Sequence, residues 1–352
     1  MKKIRMGFVG LGGIAEYVHI PGTIKSPDAE VVAVCDIKED VLKAKGDKFG
    51  VPEAMRFTSY KDMIRHADID AVSICTPNDV HFEVAVEAMN NGKPFAIEKP
   101  ITTRYKEAKQ LKEMALEKKI PNMVCFSYRF KPAARYARWL VQNGSLGKIY
   151  HIYGQYLQEW AMSEEVPLVW RFKKDASGSG ALGDLGSHMI DLTRFIVGDF
   201  EKVCSHAGTF IHSRKEINSD SYGTVDVDDY CHYLAELKGG VSGSFEISRY
   251  AYARGNYQRV EVYGSKGALI YNLEDTDTLQ VCIGDVYKSA KAYVEVPVPQ
   301  QFKCDQMQSF FDIINGRGDG LAATIEDGAV NQLIVDGIIE AFEKEKWIYL
   351  KE

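Results

Sequence analysis

Ile4-Arg5-Met6-Gly7-Phe8-Val9-Gly10-Leu11-Gly12-Gly13-Ile14-Ala15 is the stretch on which the reading of this chain turns. An apolar run with strand character passes directly into Gly10-x-Gly12-x-x-Ala15, and helical spacing follows. Glycine at such a turn lets backbone N–H groups approach a pyrophosphate, and the helix N-terminus behind it favours the negative charge. Gly10, Gly12, Gly13 and Ile14 are therefore candidate dinucleotide-binding residues. A glycine-rich turn also serves tight packing, so its neighbours decide. Asp36 ends the next apolar run, about 20 residues on, where a carboxylate accepts from the ribose 2′- and 3′-hydroxyls and repels a 2′-phosphate. The pattern points to NAD, with Lys38 leaving room for NADP.

Further along, residues 31–35, 71–75 and 95–97 repeat the strand signal, while 38–49, 60–66, 81–90 and 105–118 carry apolar residues at helical spacing. Gly92 is placed to close the third of these helices, and 123–126 reads as one more strand. Such βαβ alternation predicts an α/β doubly wound parallel sheet of the Rossmann kind over residues 1–124. From residue 148 the pattern changes to alternation, in 148–157, 230–237, 241–247 and 259–263, with Lys238-Gly239-Gly240 as a hairpin turn. Helices are expected at 185–197, 302–315 and 324–344. Residues 125–352 are thus expected to form an α+β domain around a large, mostly antiparallel sheet, serving substrate binding and oligomerisation.

The 352 residues suit about two domains, and 45% hydrophobic with 26% charged residues is ordinary for a globular protein. A net charge of −6 argues against nucleic acid or an anionic membrane as partner. Glycines from Gly10 onward break the basic start too early for a signal peptide. No apolar run approaches the ~18 residues of a membrane span. Seven cysteines without a C-x-x-C pair suit neither a disulfide framework nor a zinc site, so no metal is expected and reduced thiols in the cytoplasm are.

The third strand runs into Cys75-Thr76-Pro77-Asn78-Asp79-Val80-His81, at the sheet edge where open α/β folds bind ligands. Thr76 and Asn78 are placed to meet a cofactor, or Asn78 or Asp79 to cap the following helix. Glu98-Lys99-Pro100 follows the fourth strand, and Gly180-Ala181-Leu182-Gly183-Asp184-Leu185-Gly186-Ser187-His188-Met189-Ile190-Asp191 lies downstream. With Thr76-Pro77-Asn78, Tyr128-Arg129-Phe130 and Trp170-Arg171, these segments resemble the glucose-fructose oxidoreductase/inositol dehydrogenase (Gfo/Idh/MocA) family over nearly the whole chain. The resemblance implies an NAD(P)-dependent dehydrogenase of sugars, sugar derivatives or inositols. It also implies cofactor contacts from Thr76, Pro77, Asn78, His81, Glu98, Lys99, Trp170 and Arg171.

The residues themselves carry the same chemistry. A secondary alcohol loses hydride only as a base removes its hydroxyl proton, a task suited to histidine. His188 is that candidate, with Asp184 four residues before it and Asp191 three after, hence on one face of a helix. Lys99, by resemblance, stabilises the developing alkoxide. Alternation places Tyr156, Gln158 and Trp160 on one face, where Trp160 offers a stacking surface and Gln158 and Tyr128 offer hydroxyl partners. Lys99, Asp184 and His188 form the expected catalytic set, joined by Tyr128, Gln158 and Trp160 for a sugar or polyol. Transient oxidation with elimination, in a glycosidase or lyase, is the alternative chemistry, and a silent sugar sensor a third reading. A sheet with one face free of helices must bury it elsewhere, which predicts a homodimer or homotetramer.

Overall fold

Strand β1 (Ile4–Val9) lies at the centre of a wholly parallel sheet whose other strands are β2 (Ala29–Cys35), β3 (Arg56–Phe57), β4 (Ala71–Ile74), β5 (Phe95–Ile97) and β6 (Asn122–Val124). Among the described residues, 2–274 and 278–351 of this computed structural model, the spatial order is β3-β2-β1-β4-β5-β6. That order reverses direction between β1 and β4, the place where a doubly wound sheet opens a ligand crevice. Helices cover both faces, which is why these strands read as mainly apolar runs without alternation: all four residues of β4 are buried, Ser73 included. Val9, Ile74, Phe95, Ile97, Leu111 and Phe126 belong to the resulting core. Strand β3 escapes the sequence reading because two residues carry no periodicity.

The chain folds into two compact units, Met1–Phe126 with Cys304–Ala329, and Ser127–Lys303 with Val330–Glu352. The expectation assigned 304–329 to the second domain, whereas the segment packs with the first. Val124 N–H donates to Ala323 O at 2.8 Å, Ile325 N–H to Asn122 Oδ1 at 2.8 Å, and Gln308 Nε2 to Asp28 Oδ2 at 2.9 Å. These are long-range bonds with no signature in local periodicity. The helix expected at 302–315 is Gln306–Ile314, begun by Asp305, whose side chain accepts from Gln308 N–H.

The second unit holds β7 (Ile149–Leu157), β8 (Phe200–Gly208), β9 (Ser213–Lys215), β10 (Tyr222–Thr224), β11 (Tyr230–Leu237), β12 (Val241–Ser248), β13 (Tyr257–Gly264), β14 (Gly267–Asn272), β15 (Thr278–Ile283), β16 (Val294–Pro297) and β17 (Ile348–Tyr349). Strands β9 and β10 form a separate ribbon, and the rest make a sheet in the order β16-β15-β14-β13-β7-β12-β11-β8-β17. Every pairing in it is antiparallel except β12 with β7. One face is apolar, with Ile152, Tyr233, Phe245, Ile247 and Val260 buried, and the helix Ser187–Ile196 seats Met189 against Gly154 there. The opposite face carries His151, Tyr153, His232, Leu234 and Glu246 in the open.

The helix expected at 185–197 begins earlier and differently. Residues Leu182–Gly186 form a π-helical turn that leads into the α-helix Ser187–Ile196. Asp184 sits inside the π-turn, so the α-helical four-residue spacing that grouped it with His188 does not apply.

Candidate active site

Glycine chemistry shapes the candidate dinucleotide site of the first unit. Gly10 has φ +84°, and a Cβ there would stand 2.7 Å from the carbonyl carbon and oxygen of Cys75, so no other residue fits between the two strand ends. A Cβ on Gly12 would meet nothing within 4 Å, and one on Gly13 only the Tyr17 ring at 3.8 Å. The backbone is bare on the side where a pyrophosphate lies in such folds. Asp36 braces the loop: its Oδ2 accepts from Leu11 N–H at 2.9 Å and its Oδ1 from Lys38 N–H at 3.0 Å. Thr76 Oγ1 is buried and has no hydrogen-bond partner among the described residues. Val80, not Asn78 or Asp79, stands at the head of the helix His81–Asn90.

Lys99 follows β5 and precedes Pro100 through a cis peptide bond. Glu98, expected at the cofactor, turns inward: Oε1 pairs with His19 Nε2 at 2.9 Å and Oε2 accepts from Lys99 N–H at 3.3 Å. Burial opposes both charges. Cys75 and Cys125 nevertheless raise the His19 pKa well above its ordinary value, and His19 holds the Glu98 carboxyl below its own. His19, Glu98 and Cys125 place donor atoms within 4.8 Å of one another, a set chemically able to ligate a metal; here His19 and Glu98 hold each other. His81, also expected to touch the cofactor, is wholly buried and has both ring nitrogens on backbone carbonyls, Pro100 O at 2.8 Å and Thr76 O at 2.9 Å. It braces two loops.

In the second unit the glycine-rich segment is held by Asp228, whose carboxylate accepts from Gly180 N–H and Leu182 N–H, each at 2.7 Å. A Cβ on Gly180 would stand 1.8 Å from Asp228 O, so this close approach requires glycine. Asp184 Oδ2 accepts from Arg249 Nη2 at 3.1 Å. Arg249 is 1% exposed, also donates to Gly180 O at 3.0 Å, and lays its guanidinium 5.0 Å from the Trp160 ring centre. A buried guanidinium beside a partly open carboxylate favours the ionised carboxylate and fixes its direction.

His188 is 8% exposed, with the Tyr128 ring edge-on at 4.6 Å and the Tyr156 ring at 6.2 Å. The Tyr128 and Tyr156 hydroxyls share a hydrogen bond. Tyr156 donates to Asn256 Oδ1 at 2.8 Å, Gln158 Nε2 donates to the same oxygen at 2.7 Å, and Asn256 Nδ2 donates to Tyr128 at 3.3 Å. Burial raises the pKa of both phenols, so both are neutral donors at physiological pH. The four side chains form a polar cradle beside the imidazole. Asp191, grouped with His188 by spacing, is instead engaged by Arg129 through Nη2 to Oδ1 at 2.7 Å and Nε to Oδ2 at 2.9 Å. Strand β7 ends at Leu157, so the expected face does not extend to Trp160. That ring packs on Phe172 at 5.5 Å and against a cluster with Leu168 and Val227. Trp170 and Arg171 stack on each other, the guanidinium 4.5 Å from the ring centre.

Residues 4–126 match an oxidoreductase family described as an NAD-binding Rossmann fold, and residues 134–270 match the GFO/IDH/MocA C-terminal domain. Levoglucosan dehydrogenase from Pseudarthrobacter phenanthrenivorans is 30% identical over 97% of this chain and 95% of its own length. The chain belongs to the GFO/IDH/MocA family. Inositol 2-dehydrogenase from Rhizobium meliloti is 25% identical over 98% of each chain. A solved structure of levoglucosan dehydrogenase in complex with NADH and L-sorbose superposes with TM-score 0.91 at 30% identity, covering 100% of both chains.

As a GFO/IDH/MocA oxidoreductase, the protein has an NAD-binding Rossmann unit, and its bare Gly12–Gly13 backbone and orphaned Thr76 hydroxyl fit that cofactor. The resemblance read from the sequence and the two-sheet fold class are both borne out. Sequence reading missed Asn256 and Arg249, which lie about 100 and 65 residues from their partners Tyr156 and Asp184. An asparagine and an arginine in alternating strand-and-turn sequence carry no signal that separates them from surface residues. Among the described residues no helix is long and apolar enough to cross a membrane.

Proposed function

We propose that the protein is an NAD-dependent dehydrogenase that oxidises a ring secondary alcohol of a sugar, glycoside or inositol. The observation that carries this reading is the cradle of Tyr128, Tyr156, Gln158 and Asn256 at the edge of the His188 ring. Two neutral phenols and two carboxamides match the donors and acceptors of a polyhydroxylated ring, and a buried imidazole beside them is placed to accept a hydroxyl proton.

In this reading His188 takes the proton from the reacting hydroxyl as the C–H hydride leaves. Lys99 provides a compact positive charge for the alkoxide that develops, and Asp184, aimed by Arg249, takes part in holding the alcohol. Nicotinamide, when bound, supplies the hydride acceptor. Gly10, Gly12, Gly13, Ile14, Thr76, Pro77 and Asn78 hold the dinucleotide, Asp36 selects against a 2′-phosphate, and Trp170 with Arg171 orders the cofactor. Trp160, packed on Phe172 and Arg249, borders the substrate through what its packing leaves open.

The test is a panel of levoglucosan, inositols, hexoses and glycosides with NAD and with NADP, following the reduced cofactor. Turnover of one ring alcohol with NAD, strongly lowered but still measurable in Lys99→Met, supports the reading. Product without accumulated NADH would replace it with transient oxidation and elimination, and no turnover of any ring alcohol would overturn it.

The exposed sheet face, where Tyr153, 47% exposed, and Leu234, 48% exposed, stand among His232 and Glu246, is assigned to a second copy of the chain, as a homodimer or homotetramer. A monomer by light scattering at micromolar concentration would overturn this. All seven cysteines are free thiols, which supports a reducing compartment, the cytoplasm.

A further inference from the structure

We propose that His19 and His81 are positioning residues for Lys99, clamping the Glu98-Lys99-Pro100 turn from its two ends. This rests on the reading that Lys99 is a reacting residue, and it adds the device that places it.

The hydrogen bonds form two closed chains. On one side Ser73 Oγ meets His19 Nδ1 at 2.7 Å, His19 Nε2 meets Glu98 Oε1 at 2.9 Å, and Glu98 Oε2 accepts from Lys99 N–H at 3.3 Å. On the other, Thr76 O meets His81 Nε2 at 2.9 Å and His81 Nδ1 meets Pro100 O at 2.8 Å. Both chains start on β4 or the loop that leaves it, and they reach the residues immediately before and after Lys99. Both histidines are 0% exposed. With water excluded, the His19 ring bridges Ser73 and Glu98 with Cys75 and Cys125 beside it, and the His81 ring fills the space between its two carbonyls, donating to one when neutral and to both when protonated.

A reacting lysine needs such a frame. Its ammonium rides on a flexible four-carbon stem, and the precision of that end depends on how firmly the Cα is held. A misplacement of about 1 Å costs about 100-fold in rate. The clamp also reaches the segments that face the dinucleotide. His19 closes the helical turn Ala15–His19 behind the glycine loop, and Thr76 N lies 2.8 Å from where a Cβ on Gly10 would stand. The same two rings therefore tie Lys99 to both walls of the cofactor cradle. The surroundings of the rings differ: the His19 pKa is raised well above its ordinary value, against burial, beside a carboxylate and two cysteines, while burial pushes the His81 pKa below its ordinary value against two carbonyls that favour the charged ring.

The experiment is a double-mutant cycle on the full chain. His19→Gln and His81→Gln are made alone and with Lys99→Met, and hydride-transfer rates are measured with NAD and the ring alcohol turned over in the panel above. Hydrogen exchange of the peptide spanning residues 95–104 is followed in the NADH-bound protein. The expected result is a loss of about 10- to 100-fold from either histidine change with Lys99 present, less than about twofold in the Lys99→Met background, and faster exchange of that peptide. Equal losses in both backgrounds, or unchanged exchange in both variants, overturn the inference. Lys99→Met turning over normally would instead overturn the reading of Lys99 on which it rests. Where one glutamine variant fails to fold, Glu98→Gln tests the same link through exchange and rate.

Discussion

The two units build their ligand-facing parts from different materials. In the first, strand ends do the placing: Gly10, Asp36, Thr76 and Lys99 lie at or just beyond the carboxyl ends of β1, β2, β4 and β5, and the Asp36 carboxylate gathers the backbone N–H groups of Leu11 and Lys38. In the second, side chains from 128, 156, 158, 184, 188, 249 and 256 are gathered by hydrogen bonds, ring contacts and the Arg249–Asp184 ion pair. A main-chain site tolerates many side chains but no extra Cβ, while a side-chain site depends on each partner being present. The first arrangement suits a cofactor of constant shape, the second a substrate that varies between relatives.

The largest expected effect lies in the second unit. His188→Ala should lower turnover about 100- to 10,000-fold, the range typical of a lost general base, with NAD affinity nearly unchanged by titration of cofactor fluorescence. Should affinity fall in step with turnover, the separation of roles between the units breaks. Next comes the Arg129–Asp191 pair, with the two side chains 7% and 2% exposed. Arg129→Met takes the guanidinium from a buried carboxylate and should cost about 3–5 kcal/mol, seen as an earlier chemical-denaturation transition, with much of the loss restored by adding Asp191→Leu. No recovery in the double variant would show that the pair is not the cause.

A smaller effect sharpens the first unit's side of the comparison. Asp36→Ser with Ile37→Arg should reverse the preference for NAD over NADP, since Ile37 is 82% exposed and an arginine there can meet a 2′-phosphate. Equal kcat/KM with both cofactors in the unaltered chain would remove the role given to Asp36. The smallest concerns Glu98, whose carboxyl is held below its ordinary pKa by His19 against the effect of burial. A depressed carboxyl contributes stability that is complete above its unfolded value, about 4.3, and disappears as pH falls through the folded value. The thermal midpoint of the unaltered protein should therefore exceed that of Glu98→Gln at pH about 7, and the gap should close on acidification. A gap independent of pH would mean that packing, not charge, sets the Glu98 contribution.

How much is legible in the sequence follows the same division. The glycine motif, Asp36 and the strand-end lysine are readable because a parallel sheet brings the carboxyl end of every strand to the same side, so residues just after each strand gather there whatever the strand order. Resemblance places His81 and Glu98 at the cofactor, and burial turns both into braces. Asp191 shares a helical face with His188 in the string, but Arg129, 62 residues away, takes its carboxylate.

The sequence by itself determined the two-sheet character of this protein, the dinucleotide turn and the residue types fit for oxidising an alcohol, because these rest on period, turn chemistry and short spacing. Tertiary structure alone decided that residues 304–329 return to the first unit, that Asp184 sits in a π-turn aimed by Arg249, and that Asn256 joins the phenols. Those outcomes depend on which distant groups meet in a dry interior, where each buried polar atom must find its partner wherever the chain brings one.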